Sequence, residues 1–494
     1  MATLVDAGYE AYPVGGCVRD LLLARQSFSD GGRGAVPYDW DVTTSAKPEE
    51  ILHLFPESFY ENAFLTVTVK TGSEDETLKE IEVTTYRSEG KYTDKRHPDE
   101  VQYAKTLEED LSRRDFTINA MALTQFPISN FQFPNPKVID PFGGQEDLKK
   151  KLIRCVGDPL KRFDEDALRM MRAVRLSAQL GFEIEEKTKA AIIALSHTII
   201  LIAHERTRDE FIKIVKSHAG RVVIDLMHEV GLLKHVIPEL EEGIGMENRP
   251  RIFTIWDHNL KAFDYGVKTK FSWGVCIAAL LHDVAKPATR GPKKNDEWTF
   301  YGHDVVGGKM AARILERLHF PRHIIEKIAT LIRWHLFKYE SEEETTDSSI
   351  RRLIRHVGAD NMSDLVQLRI CDRMGMDVPK AVPYRLRHFQ FRVEKILREE
   401  EAPTPKMLKI NGEDIMRILS IAPGPKIGRI IEVLMQEVID DPSRNEKAEL
   451  EVRVAELGIL ADDELIVMAE KAESQVEMTE DQRISEIKAK YWVK

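Results

Sequence analysis

Two carboxylates two residues apart, Asp39 and Asp41, follow a glycine pair, Gly15 and Gly16, near the start of the chain. Asp41 runs on into Val42-Thr43-Thr44, which reads as a strand, and on a strand residues two apart share a face. Carboxylates side by side repel unless a cation lies between them. Hard oxygen ligands suit Mg²⁺, which takes one or two carboxylates plus substrate phosphates. This is the donor set of a two-metal phosphoryl-transfer site. Upstream, Ala11 to Val14 reads as a short strand, with Pro13 suggesting an edge. Gly15 and Gly16 lack a Cβ, so a ligand can approach the backbone. The helix opening at Arg19-Asp20-Leu21 offers free N–H groups and an arginine fork, both suited to phosphate. Either piece alone also reads as a glycine turn or a solvated acidic pair. Together, in this order, they favour catalysis.

The elements that must position these groups come next. Leu65–Lys70 and Ile81–Tyr86 alternate with period two and are predicted as strands. Glu82 on the second is a third carboxylate or a solvated strand face. Arg87–Glu100 is polar and reads as a loop. The Gly- and Ser-rich segment 24–37 reads as a surface insertion. Arg113-Arg114-Asp115 opens an apolar stretch, with Arg114 a candidate for a triphosphate and Asp115 for orienting an arginine.

A second set of polar groups is built for reading a base. Phe163–Leu176 is predicted as one helix, with Asp166, Arg169, Arg172 and Arg175 recurring every three residues. A carboxylate accepts from an exocyclic amino group, and an arginine donates to ring nitrogens or a carbonyl. Cytosine and adenine carry that amino group; uracil and guanine present a carbonyl. Asp166 with Arg169 would therefore accept CTP and ATP and reject UTP and GTP. Arg172 and Arg175 remain for phosphate or for the helix's own order. A solvated, salt-bridged helix face fits the same spacing.

A third set is nitrogen-rich. His258, the adjacent pair His282-Asp283, His303, His335 and Asp372 are spread over predicted helices. Imidazoles with carboxylates suit a divalent transition metal. A lone histidine is more often a satisfied core residue, so the adjacent His282-Asp283 pair carries the metal reading further than His303 or His335 does.

Four motifs, Gly-Gly-x-x-Arg-Asp, Asp-x-Asp, Arg-Arg-Asp-Phe-Thr-Ile-Asn-Ala and Glu-Asp-x-x-Arg-x-x-Arg-Ala, occur in order over about the first 180 residues. In this the chain resembles the bacterial class II tRNA nucleotidyltransferases, the CCA-adding enzymes, and their relatives the bacterial poly(A) polymerases. The resemblance implies an α+β chain: a polymerase-β-like head followed by a mostly helical neck, HD domain and tail. It implies Mg²⁺ on Asp39 and Asp41, nucleotide contacts from Gly15, Gly16, Arg19 and Arg114, and a protein template of Asp166 and Arg169 beside Arg172 and Arg175. His204–Phe211 resembles the family's neck signature, though an ion-paired helix start fits as well. The histidine–aspartate series looks like an HD phosphohydrolase module, either active on phosphate esters such as 2′,3′-cyclic ends or retained as an idle fold. Leu408–Met416 and Ala422–Gly428 look like the family's C-terminal region.

Composition sets limits. With 494 residues the chain needs several domains, and 43% hydrophobic with 31% charged residues is ordinary for a globular protein. No apolar run approaches the ~20 residues of a membrane span, and the N-terminus has no signal-peptide pattern, so a cytoplasmic protein is expected. Cys17, Cys155, Cys276 and Cys371 are widely spaced, so no disulfide framework is predicted. A net charge of −11 argues against broad nonspecific nucleic-acid binding but leaves local basic stripes. One such stretch is Tyr384–Arg392, which fits RNA phosphates or a packing helix equally. Gly424, Lys426 and Gly428 form a turn into a helix able to meet a phosphate, and the chain from Asn445 on reads as solvated helices.

The expected boundaries are a head at 1–150, a neck at 151–220, a body with the HD domain at 221–380 and a tRNA-binding tail at 381–494. The expected activity is CCA addition to tRNA from CTP and ATP. Poly(A) synthesis, A-only addition, a phosphohydrolase with an RNA-binding head and a non-enzymatic RNA-binding protein are the competitors.

Overall fold

The computed structural model describes residues 1–29, 37, 40–61, 65–89, 101–124, 137–249, 253–294, 297–339, 345–376, 384–399, 408–461 and 464–468. Asp39, residues 30–36 of the 24–37 insertion, and residues 90–100 of the polar stretch Arg87–Glu100 lie outside them. The chain divides into two compact units, Met1–Glu241 and Glu242–Lys494. The fold is α+β, with its main sheet in the first unit.

That sheet is built from β1 (Ala11–Val14), β2 (Asp41–Thr44), β3 (Ser58–Glu61), β4 (Thr66–Lys70), β5 (Glu80–Thr85), β8 (Ala122–Leu123) and β9 (Val138–Ile139), in the order β3-β4-β5-β2-β1-β8-β9. β6 (Arg87–Glu89) and β7 (Val101–Tyr103) pair separately as a ribbon. The alternating stretches predicted as strands are β4 and β5. Their Val67, Val69 and Val83 join Leu4, Val42 and Ile51 in one core. β1 is not an edge strand: it pairs with β2 along its whole length and with β8 at Val14. Pro13 is tolerated there because the two-residue β8 reaches only Val14, so among the described residues no strand lies alongside Pro13 on that side.

The helix predicted over Phe163–Leu176 is two helices, Pro159–Glu165 and Leu168–Leu180. Asp166 between them is extended, with φ −145° and ψ 104°. Its carboxylate accepts the Leu168 N–H at 3.0 Å. A short acidic side chain that satisfies the new helix's free donors competes with continuation of the old one. Asp166 therefore does not share the helical stripe of Arg169, Arg172 and Arg175.

The second unit is mostly helical. Trp273–Leu281 is apolar on every side, and Val275 to Leu281 are all buried, as an all-round apolar helix must be. Around it pack Ile255–Lys268, Arg322–Trp334 and Met362–Met374. Tyr384–Glu399 is a packing helix: Leu386, Phe389, Val393 and Ile396 are buried, and Arg392 bonds Thr345 and Asp347. Within the described part of the chain after Asn445, Lys447–Ile459 is a packed helix rather than a solvated one. Leu450, Val454 and Leu457 of Lys447–Ile459 share a core with Ile415, Ile430 and Leu434 from Gly412–Leu419 and Pro425–Asp440. The charges that suggested solvation lie on that helix's outer face. Lys426 donates to the Gly458 and Leu460 carbonyls, closing the helix end, rather than standing clear for a phosphate.

Candidate functional site

The head site is assembled at the meeting of β1, β2 and β5. Antiparallel register sets Val14 opposite Asp41, and parallel register sets Asp41 beside Glu82. In-register neighbours share a face about 4.8 Å apart, so Glu82 is brought to Asp41. Gly15 ends β1 at φ +80°, a conformation that favours glycine. A Cβ there would lie 2.9 Å from Arg114 Nη1 and 3.2 Å from Asp41 Oδ2. Three motifs far apart in the chain thus converge on one glycine. The helix Gly16–Ser29 starts at once, and its Arg19 lies over Gly16.

The arginines are held by a buried network. Arg19 donates to Asp20 at 2.7 Å and to Asn119 at 2.9 Å. Asn119 donates to Asp115 at 3.3 Å, and Asp115 accepts Arg172 Nε at 2.8 Å. Burial pushes the Asp115 carboxyl up, but Arg172, Arg169 and Asn119 outweigh it and hold it down at about 2. Asp110, fully buried, takes Arg113 at 2.8 Å, Arg114 at 3.6 Å and the Thr43 hydroxyl at 3.1 Å. Among the described residues Arg114 Nε, which is buried, has no hydrogen-bond partner. Asp110 and Asn119 did not stand out in the sequence. The four-residue spacing of Asp115 and Asn119 was the available signal, and a 3₁₀ turn at Thr117–Asn119 makes it a contact.

The template residues lie in the same unit, gripped from the protein side. Asp166 accepts Arg206 Nη2 at 2.7 Å and Nη1 at 3.3 Å. Arg169 donates to Glu165 at 2.6 Å and to the Arg162 carbonyl at 3.1 Å. Arg175 pairs with Glu210. Arg206 and Glu210 sit on His204–Lys216, so the ion-paired reading of that helix holds and its partners are the template segment. Of the regular arginine stripe, Arg172 and Arg175 serve internal order through Asp115 and Glu210.

The second unit brings all six residues of the nitrogen-rich set together. His282 and Asp283 end the buried helix Trp273–Leu281, and His335 ends Arg322–Trp334. His303 opens His303–Arg317, after Gly302 at φ +71°. The ligand atoms of His258, His282 and Asp372 lie within 4.8 Å of one another, as do those of Asp283, His303 and His335. Three rings set Nδ1 against a carbonyl three residues back: His282 on Ala279 at 2.8 Å, His303 on Phe300 at 2.5 Å and His335 on Ile332 at 2.6 Å. A carbonyl only accepts, so Nδ1 bears a proton on each ring and Nε2, the nitrogen left for a ligand, is turned inward.

Charge in this cluster is unbalanced. His258 Nε2 and His282 Nε2 are 3.0 Å apart. Asp283 Oδ2 lies 3.3 Å from each, and Asp372 Oδ1 is 3.2 Å from His258. Burial pushes His282 down, but Asp283 and Asp372 outweigh it and lift it to about 10. His335 is pushed down to about 3 by burial and by His282. Among the described residues, His335 Nε2 makes no hydrogen bond, and Asp283 Oδ2 makes ion contacts but no directed hydrogen bond. Inward Nε2 atoms, polar atoms left without a directed hydrogen bond, and mixed nitrogen and oxygen ligands fit a divalent transition metal. The cluster opens on a cavity of about 1200 Å³.

Comparison with known proteins bears on both units. A family model described as the poly A polymerase head domain matches residues 11–154. One described as the probable RNA- and SrmB-binding site of polymerase A matches 181–244, and the HD domain matches 255–374. The CCA-adding enzyme of Geobacillus sp. (strain WCH70) is 31% identical over 454 residues, 90% of this chain and 92% of that protein. That of Levilactobacillus brevis is 30% identical over 92% of this chain and 96% of its own length. A stretch of 214 residues is 48% identical to the CCA-adding enzyme of Lactobacillus helveticus, of which it spans 48%. The fold is similar to that of the Bacillus stearothermophilus CCA-adding enzyme solved in complex with CTP, with a TM-score of 0.62 at 24% identity over 92% of this chain and 95% of that one.

Proposed function

This chain belongs to the CCA-adding enzymes and is a tRNA nucleotidyltransferase; from that premise we propose that it adds C, C and A in turn to the tRNA 3′ end, taking CTP and ATP without a nucleic-acid template. The observation that carries this reading is the convergence on Gly15 of Arg114 and Asp41, with Glu82 in register beside Asp41. Asp41, with Asp39, would hold Mg²⁺, which when bound supplies charge neutralisation and acidifies the attacking hydroxyl. Gly15 and Gly16 let the triphosphate approach the backbone, and Arg19 and Arg114 grip its oxygens. The tRNA 3′-oxygen adds to the α-phosphorus, the α–β bridging bond breaks, and pyrophosphate leaves with the electron pair.

Base choice falls to Asp166 and Arg169. A carboxylate has about four lone-pair sites, so Asp166 can accept an amino N–H from cytosine or adenine while Arg206 holds it in place. A uracil or guanine carbonyl facing Asp166 leaves two acceptors opposed. The assigned regions are the head at 1–150, the neck at 151–220, the body at 221–380 and the tRNA-binding tail at 381–494, acting in the cytoplasm. Among the described residues no helix is long and apolar enough to cross a membrane.

The six-residue cluster of the second unit favours a second activity, metal-dependent hydrolysis of phosphate esters. His258, His282, Asp283 and Asp372 would hold the metal, with His303 and His335 completing the set. Three tRNA transcripts, ending before CCA, after C and after CC, test the main reading with CTP, ATP or both. Stepwise C, C, A and a stop is the expected result; a growing A ladder or A addition to CC ends alone would overturn it.

A further inference from the structure

The triphosphate grip and the base reader come from different parts of the chain, yet one nucleotide has to meet both. Arg114 follows the helix Leu107–Ser112, and a Cβ on Gly15 would meet its Nη1 at 2.9 Å. Asp166 precedes, and Arg169 opens, the helix Leu168–Leu180. Arg162 stands between the two, in the last turn of Pro159–Glu165. Its side chain is only 17% exposed, so protein rather than water meets its donors. Toward Leu107–Ser112 it donates from Nη2 to the Ser112 carbonyl at 3.1 Å and from Nη1 to the Arg113 carbonyl at 3.4 Å. These are end carbonyls that a helix cannot satisfy itself, and a cation is favoured at that end. Its Nε donates to the Val156 carbonyl at 3.3 Å.

Toward the template, Arg162 Nη1 donates to Glu165 Oε2 at 2.9 Å, and the same oxygen accepts Arg169 Nη1 at 2.6 Å. Arg169 Nη2 returns to the Arg113 carbonyl at 3.4 Å. Arg113, Arg162, Glu165 and Arg169 thus close a ring, and the carbonyl shared by both arginines belongs to the peptide unit that leads into Arg114. Resting on the assignment of Asp166 and Arg169 to base choice, we propose that Arg162 is a positioning residue that fixes the separation between the triphosphate grip of Arg114 and the base reader Arg169. Two contacts on one ligand reinforce each other only where the geometry lets both engage at once. A misplacement of about 1 Å is enough to lose that gain. The planar fork of Arg162 makes the two-sided contact, whereas a lysine would keep the charge as a point and could not reproduce it. CTP, held at both ends, depends on Arg162. UTP, whose base Asp166 refuses, is held by the triphosphate grip alone and does not.

C addition to a tRNA transcript ending before CCA is measured for the full-length wild type, Arg162→Lys and Arg162→Gln at fixed free Mg²⁺. CTP is the substrate, and UTP and inorganic tripolyphosphate are competitive inhibitors. In both variants the CTP KM is expected to rise about tenfold, while the inhibition constants of UTP and tripolyphosphate change less than about twofold. CTP then loses its advantage over UTP while circular dichroism stays native. A merely structural role would move all three constants together or lower kcat alone; either result overturns the proposal, as does an unchanged CTP KM. If Arg162→Gln does not fold, Arg162→Lys, which keeps the charge, carries the test. If neither folds, Arg162 is a folding residue and the proposal is overturned. Failure of the base-choice assignment is seen separately, as a wild type with no preference for CTP over UTP, and the proposal falls with it. A wild-type preference that survives in both variants overturns the proposal alone.

Discussion

Asp115 and Arg172 are 57 residues apart in the chain and meet at 2.8 Å, with Arg172 Nε donating to the Asp115 carboxylate. The other Asp115 oxygen accepts Asn119, whose own oxygen accepts Arg19. One carboxylate thereby connects the arginine at the first glycine turn to the helix that follows the template aspartate.

Asp115→Asn removes the charge that Arg172 faces and keeps the shape. A hydrogen bond to a charged group is worth roughly 1.5–3 kcal/mol, so urea denaturation should register a loss of about 2 kcal/mol. Single-nucleotide incorporation should fall with it, because Arg19 loses the far end of its support. Full stability in this variant would mean the pair contributes nothing.

The same carboxylate makes an acid-sensitive contribution. Its folded pKa, about 2, lies below the ordinary value of about 3.9. The contribution is complete above pH ~4, declines as the pH falls, and is gone below the folded value. Urea midpoints by tryptophan fluorescence should separate wild type from Asp115→Asn by about 2 kcal/mol at pH 5, with the gap closing toward pH 2.

Gly15→Ala puts a Cβ between Arg114 and Asp41 at φ +80°. The backbone strain alone is roughly 1 kcal/mol. The larger effect is displacement of both side chains, so kcat for C addition should fall at least about 100-fold while circular dichroism stays native. Retained activity would show that these two groups do not work as a set.

Asp166→Asn presents an amide, which donates as well as accepts, to the base edge. Discrimination of CTP over UTP should drop at least about tenfold, the lower end of what one good base contact supplies. Arg206→Ala leaves Asp166 intact but unanchored, so KM for CTP and ATP should rise together. Competition assays with mixed triphosphates measure both; unchanged selectivity in Asp166→Asn would remove it from the template.

The two sites should separate by mutation. Asp283→Asn should abolish phosphate release from p-nitrophenyl phosphate and leave C addition within about twofold, and Asp41→Asn should do the reverse. Nucleotide addition that survives Asp41→Asn would sink the head assignment.

Residue types and short spacings were enough to nominate the chemistry. Asp39 and Asp41 two apart, Gly15-Gly16 before a helix, and adjacent His282 and Asp283 are local patterns, and local patterns constrain local geometry. The strands of the head were legible in their period-two alternation, and the helical remainder was what the family resemblance implied. The break at Asp166 was not legible, because helix continuation and side-chain capping compete over a margin too small for a spacing argument. The packing of Lys447–Ile459 was not legible for a related reason: its buried positions become apparent only once Gly412–Leu419 and Pro425–Asp440 supply the other side of the core.

What the sequence by itself determined was which groups could bind a metal, a triphosphate or a base edge. The tertiary structure alone decided which partner each one has: Arg206 for Asp166, Asp115 for Arg172, Glu82 for Asp41, and the inward turn of His282, His303 and His335. The physical reason is that strand register and helix packing join residues tens of positions apart, and a buried charge settles on whichever opposite charge that packing brings within reach.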